Sequence, residues 1–192
     1  MLGLKMATDP RWVNIVEKNI AEILTDHAYC EQKAASNAIS IIVKYPMYPD
    51  LVQEMSRIAQ EEMEHFEQVH KKIIDRGLDF GFERKDPYVN DLLTFIPKGG
   101  DRRDQLTYRL LFAAMIEARS CERFKILSEN IQDPDLKVFY RSLMESEANH
   151  YTTFLGFARK YGNDRVEELW KNYLQFEADL MAKYGKSETI HG

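Results

Sequence analysis

Thiols are scarce in this chain: Cys30 and Cys121 are its two cysteines, each midway along a helical pattern. That excludes a disulfide scaffold and a zinc ribbon, which needs paired thiolates. Long apolar runs are missing as well. None reaches the roughly 20 residues that span a bilayer, and the N-terminal MLGLKMATDP has neither a signal-peptide core nor a small-residue cleavage site. Both absences predict a cytoplasmic protein with no membrane association. Positive charge is not in excess either. A net charge of −5 argues against strong, indiscriminate nucleic-acid binding, although it leaves room for a local basic face. The apolar–polar alternation that marks strands is not convincing anywhere. What is present, 44% hydrophobic and 30% charged residues in a chain of 192, suits one soluble domain of ordinary size.

Helix signals supply the organisation. Asp9-Pro10 reads as an N-cap with proline at the first helical position, opening a short helix that leads into a longer one ending near Tyr45-Pro46. Pro49-Asp50 starts a second long helix, which ends near the C-cap glycine Gly77. Residues 78–100 hold Gly81, Pro87, Pro97, Gly99 and Gly100, and read as a crossover with one short helix. A third long helix spans Asp101 to Ile131, and Asp133-Pro134 opens a fourth that stops near Gly162. Asp164 then caps an amphipathic helix over about 164–184. Two helices, a long crossover, two helices and an appendix predict an all-α fold, a ferritin-like four-helix bundle with an extra C-terminal helix.

Glu-x-x-His occurs four times, as Glu62/His65, Glu67/His70, Glu147/His150 and Glu188/His191. The spacing puts both side chains on one helix face, but the motif alone is weak. The apolar stripes select among the four. In the second long helix the stripe runs Leu51, Met55, Ile58, Glu62, His65, Val69, Ile73; in the fourth it runs Leu136, Tyr140, Leu143, Glu147, His150, Phe154, Phe157, Tyr161. Each pair interrupts a core-facing stripe at its own period. Glu67 lies five residues past Glu62, about 140° round the helix, and Glu188/His191 falls in a tail expected to fray. The first long helix adds Glu31 to its stripe (Ile20, Leu24, His27, Glu31, Ala34/Ala35, Ala38, Ile42). The third adds Glu117 (Leu106, Leu110, Ala113, Glu117, Ser120/Cys121, Phe124, Leu127), with Glu122 off the stripe.

Heights agree. Glu31 and Glu62 both lie roughly 20 Å from their shared turn at about 1.5 Å per residue, and so do Glu117 and Glu147. Four core carboxylates cannot stay ionised and unpaired, because burying even one such charge costs several kcal/mol. No lysine or arginine lies near them on the stripes. Two divalent cations would balance the four, and two neutral imidazoles would complete the ligand set of di-iron and di-manganese bundles. The competing reading is four neutral core glutamates bonded to one another. Ligand type does not separate iron from manganese, whereas zinc prefers fewer ligands in a tetrahedron.

The remaining candidates have plainer readings beside the functional ones. His27, one turn before Glu31, is the partner of a ligand or an ordinary core histidine. Both cysteines read as small buried hydrophobes, and Tyr140, Tyr151, Phe154 and Phe157 mainly as core. Basic residues gather around the crossover with acids mixed among them. A solvated loop accounts for them, and the best candidates for RNA contact are Arg84, Lys85, Lys98, Arg102 and Arg103.

Four segments, Asp26–Ala35 (DHAYCEQKAA), Glu61–Val69 (EEMEHFEQV), Ile116–Phe124 (IEARSCERF) and Phe139–Tyr151 (FYRSLMESEANHY), closely resemble the MiaE family of tRNA-(2-methylthio-isopentenyladenosine) hydroxylases. The likeness runs from about Trp12 to Tyr161. It implies one ferritin-like domain over residues 1–192, a monomer or small oligomer, that hydroxylates the isopentenyl group of a hypermodified adenosine beside the tRNA anticodon. The implied cofactors are two iron ions, with O2 as co-substrate and an external electron donor, a reductase or ferredoxin. The implied ligands are Glu31, Glu62, His65, Glu117, Glu147 and His150, the six that the stripes select. The main rival is a bacterioferritin-like ferroxidase, for which Met63 after Glu62 would be a haem ligand rather than a surface residue. A peroxide-detoxifying di-manganese or di-iron protein and an RNA-binding bundle with a vestigial site are the others.

Overall fold

The computed structural model describes residues 2–184 and 189–191. Among them are seven helices and no strand: α1 (Trp12–Lys18), α2 (Ile20–Lys44), α3 (Pro49–Asp75), α4 (Pro87–Leu93), α5 (Arg102–Asn130), α6 (Pro134–Tyr161) and α7 (Val166–Tyr184). None of them is long and apolar enough to cross a membrane.

Side-chain caps fix the starts of three of these helices. Asp86 accepts the Val89 N–H at 3.1 Å to start α4, and Asp101 accepts that of Asp104 at 2.8 Å to start α5. Asp133 takes the N–H groups of Asp135 and Leu136 at 2.9 and 3.1 Å, with Pro134 supplying the first helical residue of α6. At the end of α3, Gly77 has φ +64°, its N–H bonds to the Ile74 carbonyl at 2.9 Å, and that of Leu78 bonds to Ile73 at 3.1 Å. This nested pair is a Schellman motif. Two ends differ from expectation. The turn at Asp9 forms, with its carbonyl accepting from Trp12 at 2.9 Å, but regular helix begins two residues past Pro10. Helix α7 begins two residues past Asp164, whose carboxylate lies 3.2 Å from Arg103, while Asn163 accepts the Arg165 N–H at 3.0 Å.

The chain divides into two compact units. One holds residues 18–85 and 188–190, built on the α2–α3 hairpin. The start of the crossover is tied to α2: the Tyr29 hydroxyl donates to the Gly81 carbonyl at 3.2 Å, Phe80 stacks on Tyr29 at 5.1 Å, and Arg84 pairs with Glu22 at 3.0 Å. The buried residues of α3 follow the predicted stripe from Leu51 to Ile73. In α2 the last turn buries Ile41 in place of Ile42.

The other unit holds residues 1–17, 86–187 and 191–192, built on the α5–α6 hairpin with α4 and α7. The stripe of α6 drifts in its last turns, where Leu155 and Ala158 are buried and Phe157 and Tyr161 only partly so. A straight helix slips about 20° per heptad against a seven-residue repeat, which accounts for the drift in α6. Helix α5 is buried on several faces, because α6 and α7 both pack on it. The turn after α6 needs its glycine: a Cβ on Gly162 would meet the Ala158 carbonyl oxygen at 2.2 Å.

Candidate metal centre

In the first hairpin, α2 contributes Glu31 and α3 contributes Glu62 and His65, all buried. His65 Nδ1 is 3.6 Å from Glu31 Oε2 and 3.6 Å from Glu62 Oε2, and each residue offers a ligand atom within 4.8 Å of the others. His27 is fully buried one turn before Glu31, with its Nε2 2.6 Å from Glu31 Oε1. One carboxylate oxygen is thus held by an imidazole while the other faces His65. His27 is therefore the partner of a candidate ligand, one of the two roles that the sequence allowed.

The second hairpin repeats the set. Helix α5 contributes Glu117, and α6 contributes Glu147 and His150, again all buried. Their ligand atoms also lie within 4.8 Å of one another, with His150 Nδ1 3.7 Å from Glu147 Oε2. Cys121 sits one turn beyond Glu117 and its thiol donates to the Met144 carbonyl at 3.3 Å. Burial, and after it the charge of Glu147, pushes this thiol up to about 11. It stays protonated at neutral pH and behaves as a small hydrophobe.

The donor chemistry fits a divalent metal. Bonds of about 2.0–2.2 Å to one ion place neighbouring donors about 3–4.4 Å apart, and the histidine–glutamate distances of 3.6, 3.6 and 3.7 Å fall in that range. Carboxylate oxygen with imidazole nitrogen suits iron or manganese. Each hairpin therefore carries a buried Glu/Glu/His cluster compatible with one half of a di-iron site.

Other sequence candidates fare differently. Glu67 is exposed and His70 packs against Phe66 and Phe80, away from the ligand set. Met63 is exposed, as a surface residue should be. Glu188 lies outside the described residues, but His191 is not frayed: it is buried, with Nε2 3.0 Å from Ser120 Oγ. Of the five basic candidates, Arg84 and Lys85 fall in the first unit and Lys98, Arg102 and Arg103 in the second. All are exposed, yet Arg84 holds Glu22, and Arg103 donates to the Gly162 carbonyl at 2.7 Å. Lys33, opposite in the same unit, pairs with Glu83 at 2.9 Å. Phe82, in the same unit, has 95% of its surface exposed, a residue that the reading of charges passed over.

A buried ionic cluster was also missed. Arg119 is fully buried, 2.6 Å from Glu177 and 2.8 Å from Glu122, and donates to the Met6 carbonyl at 3.0 Å. Glu122 accepts the Thr8 N–H and hydroxyl at 2.8 and 2.7 Å, and Glu177 accepts the Tyr88 hydroxyl at 2.9 Å. Burial, then the charge of Glu177, holds the Tyr88 hydroxyl well above its ordinary range. A signal existed: Glu177 keeps the period of the apolar stripe of α7, between Tyr173 and Leu180.

Comparisons with known proteins extend over the whole chain. The family model described as tRNA-(MS[2]IO[6]A)-hydroxylase (MiaE) matches residues 2–192. The chain is 38% identical to the tRNA 2-(methylsulfanyl)-N(6)-isopentenyladenosine(37) hydroxylase of Pseudomonas putida over 157 residues, 82% of this chain and 75% of the relative. It is 26% identical to the Salmonella typhimurium protein of the same name, over 91% of this chain and 81% of that one. Among solved structures, a Synechococcus protein with aldehyde deformylating oxygenase activity superimposes with a TM-score of 0.88 at 32% identity, covering 98% of this chain and 95% of its own. The fold is ferritin-like and all-α.

Proposed function

Because this chain belongs to the MiaE family of tRNA hydroxylases, we infer that it hydroxylates the isopentenyl side chain of 2-methylthio-isopentenyladenosine beside the tRNA anticodon. The observation that carries the chemistry is the pair of matching buried clusters, Glu31/Glu62/His65 and Glu117/Glu147/His150. Our reading is that these six residues together hold two iron ions and that the chain works as a single functional domain. Two reduced irons would supply two electrons to O2, which lets oxygen enter a C–H bond that acid–base catalysis cannot open. O2 as co-substrate and an external reductase or ferredoxin, which restores two electrons per turnover, belong to the same proposal.

The protein's own part is to hold and to exclude. Glu31, Glu62, Glu117 and Glu147 compensate the charge of the metals, and His65 and His150 complete the ligand set as neutral imidazoles. His27 fixes the carboxylate plane of Glu31 through its 2.6 Å contact. The apolar residues one turn away, Ile58 and Val69 on α3 and Leu143 and Phe154 on α6, keep water off the donors. For the RNA, we propose contacts from Lys85, Lys98 and Arg102, with Arg84 and Arg103 exchanging protein partners for phosphate, and Phe82 offering a ring on which a base can stack.

The test is nucleoside mass spectrometry on tRNA carrying the isopentenylated adenosine, after incubation with iron-loaded protein, a reductant and O2. A gain of one oxygen, absent in Glu117→Ala, is expected. No gain from iron-loaded protein would sink the reading. An aldehyde in a parallel reaction checks the activity that the structural relative carries.

A further inference from the structure

Ser120 lies one turn beyond Glu117 on the same face of α5. Its hydroxyl is 3.0 Å from Nε2 of His191, and Nδ1 of that ring is 3.7 Å from Oδ2 of Asp86. All three side chains are buried. Asp86 cannot turn away easily, because its other oxygen caps α4 by accepting the Val89 N–H at 3.1 Å. A serine, a histidine and an aspartate in this order resemble a hydrolytic triad. However, Ser120 sits in the middle of a 29-residue helix, where the main-chain N–H groups are committed to the helix and none is left for an oxyanion. A nucleophile is the wrong role for it.

Proton delivery is a role that fits. Hydroxylation by O2 needs two electrons and two protons for each oxygen atom inserted: R–H + O2 + 2 e⁻ + 2 H⁺ gives R–OH + H2O. The electrons come from the external reductant of the proposed reaction, and the protons must reach donors that are buried in both hairpins. We propose that Asp86, His191 and Ser120 form a proton relay that ends one helical turn from Glu117. This rests on the metal-centre reading given above. Protonated His191 gives its Nε2 proton to Ser120 Oγ, and the original O–H bond of Ser120 breaks as its proton leaves to become one of the two that the reaction consumes. The N–H bond on Nε2 breaks and an O–H bond forms on Ser120. The neutral ring then takes up a proton again, with Asp86 Oδ2 3.7 Å from its Nδ1. At 3.7 Å Asp86 acts through charge more than through a formed hydrogen bond. His191 and Ser120 are positioning residues, acting on the centre through one another.

Two measurements test the relay, and the first needs no metal. In 15N NMR of the iron-free protein, the His191 Nε2 resonance is expected to differ from that of a solvated imidazole and to move in Ser120→Ala. A resonance indifferent to Ser120 would overturn the contact and the relay with it. The second compares wild type, Ser120→Ala and His191→Gln, each shown to bind iron equally. Product formation is expected to fall at least about tenfold in both variants, to show an enlarged solvent deuterium isotope effect in His191→Gln, and to recover in His191→Ala when imidazole is added. Wild-type turnover by iron-loaded His191→Gln would refute the relay while leaving the hydroxylase reading in place. Failure of wild type itself to form product would instead count against that reading.

Discussion

In α2–α3 the carboxylate of Glu31 is held by one imidazole, that of His27, four residues back on the same helix. In α5–α6 the helix that carries Glu117 is itself held, by an arginine two residues on whose guanidinium reaches Glu177 and Glu122. The candidate ligands are of the same types in both hairpins; what supports them is not. A donor must be aimed, and the backbone beneath it must stay put. The first hairpin secures the aim of its donor with a short side-chain contact. The second immobilises a long helix from behind with a buried ion cluster, and buried clusters of this kind tolerate the loss of a partner poorly.

The strongest test of the shared ligand set is to remove one carboxylate from each hairpin. Glu31→Ala and Glu117→Ala are both expected to abolish hydroxylated product and to lower bound iron below the two per chain proposed for wild type, read by metal analysis and nucleoside mass spectrometry. Full loading in either one would remove that residue from the set. Next in size, Arg119→Ala strands Glu177 and Glu122 in the interior and is expected to cost about 3–5 kcal/mol in urea unfolding. No comparable loss is expected from His27→Ala, which should instead weaken metal binding about 10–100-fold, as loss of a ligand's supporting partner does. Titrating apo-protein with ferrous iron under anaerobic conditions measures it. If His27→Ala proves as destabilising as Arg119→Ala, the contrast between the hairpins fails.

The smallest effect separates the two cysteines. With its thiol at about 11, Cys121 is ionised to only about one part in a thousand at pH 8. Iodoacetamide should therefore modify half-buried Cys30 well before Cys121, with mass spectrometry following each. The sign for stability follows from the raised value. The contribution of the neutral Cys121 thiol is complete below its ordinary value of 9.0 and is lost as pH climbs towards about 11. Cys121→Ala should flatten this part of the pH–stability curve.

Much of this was legible from periodicity. The stripe of α3 is buried from Leu51 to Ile73 as read, because a helix packed along one face shows its burial directly in its sequence. The same argument found Glu31, Glu117, Glu147 and His150 as buried positions of α2, α5 and α6. It failed where that premise failed. Helix α5 is packed on several faces, so Glu122, which lies off the stripe, is buried, and so are Arg119 and Arg123. Arg123 lies 4.0 Å over the ring of Trp12 from α1, a pairing across more than a hundred residues that no local pattern encodes. His191 was misjudged for the same reason. A tail after a glycine reads as loose, and what seats its histidine is Ser120, far away in sequence.

The partners of Arg119 also bear on the order in which the chain can fold. Its guanidinium is joined to Glu177 across 58 positions, and Glu122 is joined to Thr8 across 114. Long loops must close before such contacts reward the chain. The α5–α6 hairpin, whose contacts are nearer in sequence, can zip early, but its buried arginine finds no counter-charge on α7 until Glu177 has been made. During synthesis the segment Met6 to Thr8 leaves the ribosome well before Glu122, and it gains its anchor only when Glu122 arrives. This unit is therefore latched late, by residues from both of its chain ends.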